Sequence, residues 1–312
     1  NKFARFGKFY VSNETIGNYE YIWVCATKAN SNYRVPKAFS DFKTNWDYVD
    51  IGIYEASTET VDGIDYLISK TGKTVAKSKT RTAFYNLAKA NNNRTGNDGS
   101  KYLITTMSEI TEIVQPLFLI MCGTRNSQAI YNGVCNETVI EANLKKTGLT
   151  DTITATSGTA SNDGKNSFKV FNIENWYGNI WKNVLDCTIK DYNPYVCNDL
   201  DSWTDTTTPE SNSAFSKVGY TVYKTSGTYA KAMGYDGGNP DIQLTTDGGA
   251  SSSTYFCDYY WIASGAKTVF YGGDLGYGAY VGLFFWNLGA DVGGSFWTIG
   301  ARLSRRSLAS GG

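Results

Sequence analysis

The segment from residue 255 to residue 300 sets the strongest limit on what this chain can fold into. Its 46 residues hold 14 aromatic side chains, 10 glycines and four charged side chains. Strands of an ordinary hydrophobic core are rich in Val, Ile and Leu and alternate apolar with polar positions, and this segment does neither. Antibody loops have a similar mixture, in which Tyr and Trp supply rigid contact area and Gly lets the backbone adapt. The composition therefore predicts a binding surface, with some of the rings in the core.

Strand alternation divides the densest aromatic run of this segment between two faces. Phe284 and Trp286 share one face, while Leu283, Phe285 and Asn287 share the other. Both faces cannot be exposed to solvent, because four large apolar side chains would then lack a packing partner. We expect part of this run to lie in the interior.

The side-chain inventory argues against catalysis. The chain has no histidine, which removes the commonest general base and the commonest zinc or copper ligand. Its six cysteines show no CxxC spacing, so they predict neither a zinc site nor a thioredoxin-type motif. We expect buried free thiols, although an even count also allows disulfides. No pair of acidic residues stands out, so we expect no enzyme, no metal site and no cofactor.

Charge and hydropathy exclude two further classes of partner. Lys and Arg together number 29, as do Asp and Glu, so no net field gathers phosphates and we expect no nucleic-acid partner. The longest strongly apolar run is residues 117–122, far below the roughly 20 residues of a membrane helix. We therefore expect no membrane insertion. The hydrophobic fraction of 41% is enough to build a buried core.

The N-terminal half mixes strands with helices. Residues 9–11, 19–25 and 50–54 combine β-branched and aromatic side chains between turn-forming residues, which predicts three strands. Residues 77–91 place alanine, leucine and phenylalanine at helical spacing and end in an asparagine run. We expect a helix over this stretch.

A second helix is expected to begin at Thr106. Thr106 and Glu109 have the spacing of a capping box. In this motif the side chain of each residue accepts a hydrogen bond from the backbone N–H of the other. Pro116 should kink this helix and Gly123 should end it. The face predicted to be buried consists of Ile110, Ile113, Val114, Leu117 and Met121.

Helical periodicity largely disappears from about residue 138, where Ser, Thr, Gly and Asp become frequent. We expect hydrogen bonds from side chains to the backbone to hold this loop-rich half. The predicted fold class is α+β, with two helices packed on short antiparallel sheets. A single domain is expected over residues 1–305, comprising a strand/helix half at 1–137 and the loop-rich half at 138–305. A short tail is expected at 306–312.

Two motifs in the loop-rich half resemble a known family. Residues 172–181 are NIENWYGNIW, which resembles the gxENxxGNxW signature of the formylglycine-generating-enzyme type of C-type-lectin fold. Residues 299–304 are IGARLS, which resembles the GxRL pattern in the terminal strand of that fold. The resemblance implies the same C-type-lectin fold for this chain.

Further segments resemble phage proteins. Residues 253–261, 271–273, 278–279 and 282–283 are similar to the variable-region frame of diversity-generating-retroelement target proteins. Residues 51–57 and 123–128 resemble segments of phage tail proteins. Together these stretches extend over nearly the whole chain. They imply a phage tail receptor-binding protein in which adenine-targeted mutagenesis of asparagine codons diversifies a hypervariable region at about residues 255–300.

The resemblance also implies which positions are scaffold and which are displayed to a ligand. The scaffold positions would be Glu174, Asn175, Gly178, Asn179, Trp181, Gly272, Gly273, Gly300 and Arg302. The displayed, ligand-binding positions would be Ile262, Ala263, Ala266, Tyr271, Asp274, Gly276, Tyr277, Tyr280, Phe285, Gly289, Asp291, Val292, Gly294 and Phe296. Among them Tyr277, Tyr280 and Phe296 would be large anchors, with Asp274 and Asp291 as orienting acceptors.

The same resemblance implies partners and a location. The partners would be a host cell-surface receptor, either protein or glycan, and other phage tail proteins. The location would be the virion, in the tail fibre or tip. Tail proteins are commonly symmetric trimers, and a homotrimer would multiply a weak affinity through avidity. The alternative is a bacterial adhesin with the same fold at the cell surface.

Two other activities are found among proteins of the C-type-lectin fold. Formylglycine-generating enzymes use a pair of active-site cysteines and copper, whereas the closest pair here, Cys187 and Cys197, lies outside the C-terminal segment where that family places its pair. Calcium-dependent lectins share EPN or QPD and WND motifs. The only near match is Asn239-Pro240-Asp241, and no WND follows it. A carbohydrate-binding lectin that works without calcium stays open as an alternative.

Overall fold

Short strands joined by turns make up most of the regular structure. The protein is described by a computed structural model over residues 1–17 and 19–309. The strands are β1 (Phe3–Gly7), β2 (Tyr10–Ile16), β3 (Tyr19–Cys25), β4 (Tyr48–Gly52), β5 (Ser57–Val61), β6 (Ile64–Ile68), β7 (Lys101–Ile104), β8 (Gly158–Thr159), β9 (Phe168–Val170), β10 (Ile173–Glu174), β11 (Trp181–Lys190), β12 (Asn193–Cys197), β13 (Phe215–Lys217), β14 (Thr228–Met233), β15 (Thr245–Gly248), β16 (Tyr259–Ile262), β17 (Ala266–Tyr271), β18 (Trp286–Leu288), β19 (Ile299–Gly300) and β20 (Leu303–Ser307).

The helices are short and lie in the first half of the chain. They are α1 (Arg81–Ala90), a π-helix (Glu109–Val114) and α2 (Gln115–Cys122), which continues directly from the π-helix. Short 3-10 turns lie at Lys37–Phe39, Asp41–Lys43, Asn91–Asn93, Ser127–Ala129, Glu141–Asn143, Leu200–Ser202, Pro209–Ser211 and Gly278–Tyr280. The predicted α+β class with mostly antiparallel sheets is confirmed.

The two largest sheets have nine and four strands. The larger has the order β13-β12-β11-β17-β18-β16-β14-β15, and β19 pairs with β11 outside this path. It is antiparallel except for the pairs β11/β19 and β16/β18. The smaller has the order β1-β4-β20-β7, so the last strand lies between two strands of the N-terminal half. β20 extends through Ser307, and the boundary expected at residue 305 therefore falls inside a strand whose Arg306 is fully buried.

The two halves share one core. One hydrophobic cluster contains Ile51, Ile110 and Phe118 from the first half together with Val184 and Trp286 from the second. The stretch after residue 138 is less irregular than its composition predicts, because most strands of the larger sheet lie there. All six cysteines are free thiols, and four of them are buried.

Most of the predicted elements of the N-terminal half are present. The strands expected at 9–11, 19–25 and 50–54 correspond to β2, β3 and β4, with ends shifted by a few residues. The helix expected at 77–91 is α1, which is shorter at its start because the Thr80 hydroxyl accepts the backbone N–H of Ala83 and caps it. The Glu109 carboxylate accepts the Thr106 backbone N–H at 2.9 Å, one of the two contacts of the expected capping box.

The second helix differs from its prediction in winding. Pro116 has no N–H to give to the carbonyl four residues earlier, and the preceding turns open into a π-helix in which the Gln115 N–H reaches Ile110 O. This extra residue per turn rotates the following positions. Phe118 therefore enters the core, whereas Met121, which was predicted to be buried, is 40% exposed. Gly123 ends the helix in the left-handed region at φ 67°, as predicted.

A buried ion pair joins the two halves. Glu55, between β4 and β5, lies 2.9 Å from the ammonium of Lys182 on β11, and both side chains are excluded from solvent. Asn179 and Asn175 donate their side-chain amides to the same carboxylate at 2.6 and 3.2 Å. Burial lowers the pKa of Lys182 to about 8, and the Glu55 carboxylate opposes that shift. Lys182 thus remains mostly protonated at neutral pH.

The backbone around this ion pair is also held by buried side chains. Lys182 donates to the carbonyls of Gly178 and Ile180 at 3.0 and 2.9 Å. Arg302 donates to the carbonyls of Gly52, Glu174 and Asn175 at 2.8, 2.6 and 2.8 Å. The carbonyls of Asn175, Gly178 and Ile180 lie in irregular backbone, and those of Gly52 and Glu174 lie at strand ends. Each would be costly to bury unpaired. The charged side chains therefore replace the sheet hydrogen bonds that this stretch lacks.

Replacing Lys182 with Met should remove about 3–5 kcal/mol from the free energy of unfolding, because Glu55 would remain buried without its cation. Urea unfolding at pH 7 measures this loss. The double variant Lys182→Met, Glu55→Gln should recover a large part of it, since no buried charge remains. The matched control is Lys217→Met at an exposed position of β13, which should change stability by less than about 0.5 kcal/mol. Equal losses for the two lysine variants would show that the ion pair is not needed.

Candidate functional site

The outer face of the larger sheet carries a row of aromatic and amide side chains. Along β16, Tyr260 and Ile262 point into the core, and Tyr259 and Trp261 therefore point to the opposite face. β18 follows the same rule, with Asn287 between two buried neighbours. The strand register places Trp261 beside Asn287 and Asn287 beside Phe270 of β17. Adjacent strands thus bring a ring, an amide and a second ring together.

An aromatic cluster covers this face. Trp181 packs against Phe285 and Tyr277 at centroid distances of 4.6 and 5.6 Å. Tyr259 stacks on Tyr280 at 4.0 Å and meets Trp261 edge-on at 5.3 Å. Offset and edge-to-face contacts of this kind stabilise ring clusters beyond the area they bury. The rings are therefore held in fixed orientations.

A cleft of about 450 Å³ opens in this cluster. Its buried members Trp181, Phe270 and Ile299 form the floor, while the half-exposed or exposed rings of Trp261, Tyr277 and Phe296 form the walls. The lining is completed by Ser226, Ile262, Asn287, Gly289, Ala290 and Thr298. The volume falls within the usual range of small-ligand sites, and the mainly aromatic lining with a few polar groups is typical of them.

Polar side chains from both halves of the chain fix the loop at residues 278–284, which supports the cleft. Gln128 donates to the carbonyls of Gly278 and Val281 at 2.6 and 2.9 Å. The buried Asp258 carboxylate accepts the backbone N–H of Phe284 at 2.7 Å. A side chain at Gly282 would place its Cβ about 2.1 Å from that carboxylate, so only glycine fits there. The loop is therefore rigid before any ligand arrives.

The predicted displayed positions divide by exposure. Gly276, Asp291 and Phe296 are exposed, with Phe296 at 57%. Ala263, Ala266, Tyr277, Tyr280, Gly289, Val292 and Gly294 are half-buried. Four of the fourteen, Ile262, Tyr277, Gly289 and Phe296, line the cleft. The proposed anchors Tyr277, Tyr280 and Phe296 thus differ in exposure. One face of the Tyr280 ring is covered by Tyr259.

Four of the displayed positions lie in the interior of the structure and not at its surface. Tyr271 packs in the main core, where burial raises its pKa to about 12. Phe285 is fully buried against Trp181. Asp274 lies beneath the surface, where burial raises the pKa of its carboxyl to about 6, against the opposing effect of the Gly276 N–H. Ile262 is also nearly buried, although it reaches the cleft.

The predicted scaffold positions all lie in the interior. Glu174, Asn175, Gly178, Asn179, Trp181, Gly272, Gly273, Gly300 and Arg302 are buried. The Glu174 carboxylate accepts the backbone N–H groups of Gly148 and Thr150, each at 2.9 Å. Gly178 has φ 76°, and a Cβ there would lie 2.7 Å from Val134 O. Of these scaffold positions, Trp181 also contributes to the cleft.

Sequence reasoning missed part of the cleft. Trp261, Asn287, Ser226 and Thr298 line it but were not among the displayed positions. Strand alternation could have found Trp261, since it lies opposite Ile262 on β16. Ser226 carries no sequence signal, because it reaches the cleft through an irregular loop between β13 and β14.

The side chains of Cys187, Cys197 and Asp241 are all buried. Cys187 is fully buried, and burial raises the pKa of the Cys197 thiol to about 11, so neither is a ready thiolate. Asp241 is buried, and its carboxylate lies 3.6 Å from the Lys37 ammonium rather than facing solvent. Among residues 1–17 and 19–309, no group of three or more His, Cys, Asp or Glu side chains could hold a metal ion.

The described part of the chain contains no helix that is long and apolar enough to cross a membrane. No protein-family model matches the chain, and no curated protein matches it either.

Asp274→Asn should stabilise the protein more at pH 8 than at pH 4.5. The Asp274 carboxyl has a pKa of about 6 in the folded protein and about 4 in the unfolded chain. Its protonated form therefore stabilises the folded protein fully below pH 4, and this stabilisation is lost as the pH rises through 6. Asparagine does not titrate, and the relative gain should be on the order of 2–3 kcal/mol. Urea unfolding at both pH values measures it. The exposed Asp62→Asn serves as control, and an equal effect of Asp274→Asn at both pH values would contradict the burial argument.

Proposed function

We propose that this chain is a receptor-binding protein of a phage tail, and that it binds its ligand on the outer face of the larger sheet without catalysing a reaction. The observation that carries the proposal is the aromatic cleft on this face. Its walls are accessible rings, and Gln128 and Asp258 fix the loop beneath it. Interfaces use rigid aromatic side chains in this way, because few rotatable bonds are lost on binding.

The proposed scaffold is a C-type-lectin fold of the formylglycine-generating-enzyme type. Two motifs of that fold support it, and a third segment, at residues 123–128, resembles phage tail proteins. The motif at residues 172–181 supplies Asn175 and Asn179 to the Glu55 network and Trp181 to the cleft floor. The motif at 299–304 supplies β19 and the start of β20. The segment at 123–128 supplies Gln128, which holds the cleft loop.

The proposed hypervariable positions are those of the predicted set that reach the surface. Asp291 and Gly276 are exposed, and Phe296, Tyr277 and Gly289 line the cleft. Changes at such positions alter the surface without altering the core, since surface substitutions typically change stability by less than about 0.5 kcal/mol. This separation of frame and surface is what diversification requires.

Phe296→Ala should reduce binding of the labelled protein to its target bacterial cells by about 10-fold, because a central aromatic side chain commonly carries more than 1 kcal/mol of binding energy. Flow cytometry over a panel of bacterial strains measures the bound fraction. The matched control is Tyr255→Ala, which removes an equally exposed ring (58%) outside the cleft and should leave binding unchanged. Both variants should melt within a few degrees of wild type. Binding that is insensitive to Phe296, or absent on every strain, would overturn the proposal.

The genome should contain a near-copy of the coding stretch for residues 255–300 close to this gene, together with a reverse transcriptase gene. The two copies should differ mainly where the near-copy has adenine. Sequencing of the flanking region tests this. Phage structural genes on either side would favour a tail protein over a bacterial adhesin, which would use the same face. A flanking region without the repeat would remove diversification from the proposal but leave the binding face.

A further inference from the structure

We infer that the cleft binds a neutral sugar residue, one ring of a host surface glycan, without a metal ion. This inference rests on the proposed function, since it names the ligand class for the same face. The argument uses the charge, shape and hydrogen-bonding capacity of the cleft.

The cleft carries no charge. None of the described side chains that line it is ionisable except the tyrosine hydroxyl of Tyr277, whose pKa is raised further by burial. The nearest acidic side chain in sequence is Asp291, beside the lining residue Ala290, and it forms an ion pair with Lys267. An anionic or cationic ligand would find no counter-charge here and would lose its hydration. The site therefore selects an uncharged ligand.

The walls offer flat apolar surfaces of the size of one ring. Trp261, Tyr277 and Phe296 are accessible at the cleft, and Tyr259 and Phe285 hold two of these rings by edge contacts. A sugar ring has one face of C–H groups that packs on an aromatic ring and a periphery of hydroxyl groups that does not. The volume of about 450 Å³ accommodates such a ring with part of its neighbour in a chain.

The polar groups of the cleft are neutral and free to bind hydroxyl groups. The Asn287 Oδ1 accepts the Gly289 backbone N–H at 2.9 Å, which leaves its NH₂ group without a partner in the described chain. The Ser226 Oγ accepts the Ile262 backbone N–H at 3.0 Å, so its own proton remains available. The Thr298 hydroxyl also lines the cleft. These groups are positioned by backbone contacts, and so binding requires little ordering.

A hydrophobic side chain of a protein receptor would fit the rings less well. It would cover the Asn287 amide and the Ser226 hydroxyl without replacing their hydrogen bonds to water, and each unpaired group costs binding energy. A glycan offers both the apolar face and the acceptors. The chemistry of the lining therefore favours a sugar over a protein side chain.

The test is a titration of the intact protein with neutral sugars, followed by saturation-transfer NMR and by the intrinsic tryptophan fluorescence, to which Trp181 and Trp261 of the cleft contribute. The probes are the methyl glycosides of glucose, galactose, mannose and N-acetylglucosamine and their disaccharides. Sialic acid and glucuronic acid are the charged comparators, and a neutral tryptophan-containing peptide represents a protein ligand. At least one neutral sugar should bind with a Kd of roughly 0.1–10 mM, as expected for a single weak site, and binding should not change with chelator.

Two variants test the assignment of the cleft. Asn287→Asp keeps the acceptor for Gly289 but replaces the NH₂ group with a charge, and should weaken sugar binding by about 10-fold or more. Phe296→Ala should weaken it by about fivefold through the lost ring face. Tyr255→Ala should have no effect. Since Asn287 is half-exposed and Phe296 is exposed, both variants should fold, and their melting temperatures check this.

The outcomes separate this inference from the proposed function. Cell binding that depends on Phe296 but survives periodate oxidation of the cell surface, and is lost after protease treatment, would overturn the sugar and leave the receptor-binding face intact. Binding of the peptide or the acidic sugars in preference to every neutral sugar would also overturn it. If neither cells nor sugars are bound, the proposed function itself fails.

Discussion

The ion pair between Glu55 and Lys182 is the interaction on which the rest of the structure depends. It lies where the N-terminal half meets the NIENWYGNIW stretch, and it gathers two asparagine amides around one carboxylate. A buried ion pair need not increase the free energy of unfolding. It does disfavour other packings of the two halves, because any packing that separates the pair leaves a buried charge without a partner. Lys182 points inward, so its neighbour Trp181 points to the opposite face of β11 and forms the floor of the cleft. A contact in the interior thus determines what the surface presents.

The cleft is built from two parts of the chain, one that supplies the rings and one that holds the loop beneath them. Residues after 255 supply most of the rings, whereas Gln128, Ser127 and Gln115 of the first half hold the loop beneath them through backbone carbonyls and N–H groups. Such contacts recognise the backbone and not the side chains of the loop. The surface residues can therefore vary while their support stays the same, which is the physical basis of the proposed role.

The sequence pattern predicted those elements that short-range interactions determine, such as helix caps and helix ends. α1 follows from its helical spacing and the Thr80 cap, and the end of α2 follows from Gly123. The π-helix was not predictable from spacing, because it arises when Pro116 removes one hydrogen bond and the turn before it must find another partner. Composition singled out the aromatic and glycine-rich segment at residues 255–300 but could not predict which of its side chains face inward. Tyr271, Asp274 and Phe285 are chemically like the exposed residues around them, and only the strand register and the packing of Trp181 place them inside. The same register brings Trp261 and Asn287 together from two parts of the sequence.

The central position of β20 has a consequence for how the protein is made. Asp50 of β4 and Ser304 of β20 are hydrogen-bonded neighbours that lie 254 positions apart in sequence. During synthesis on the ribosome, β4 and β7 emerge long before the strand that belongs between them. Their facing edges stay open throughout that interval, and pairing over such a separation is slow. Open strand edges are also where chains associate with one another. Those two edges are therefore open to association with other chains until β20 closes the sheet.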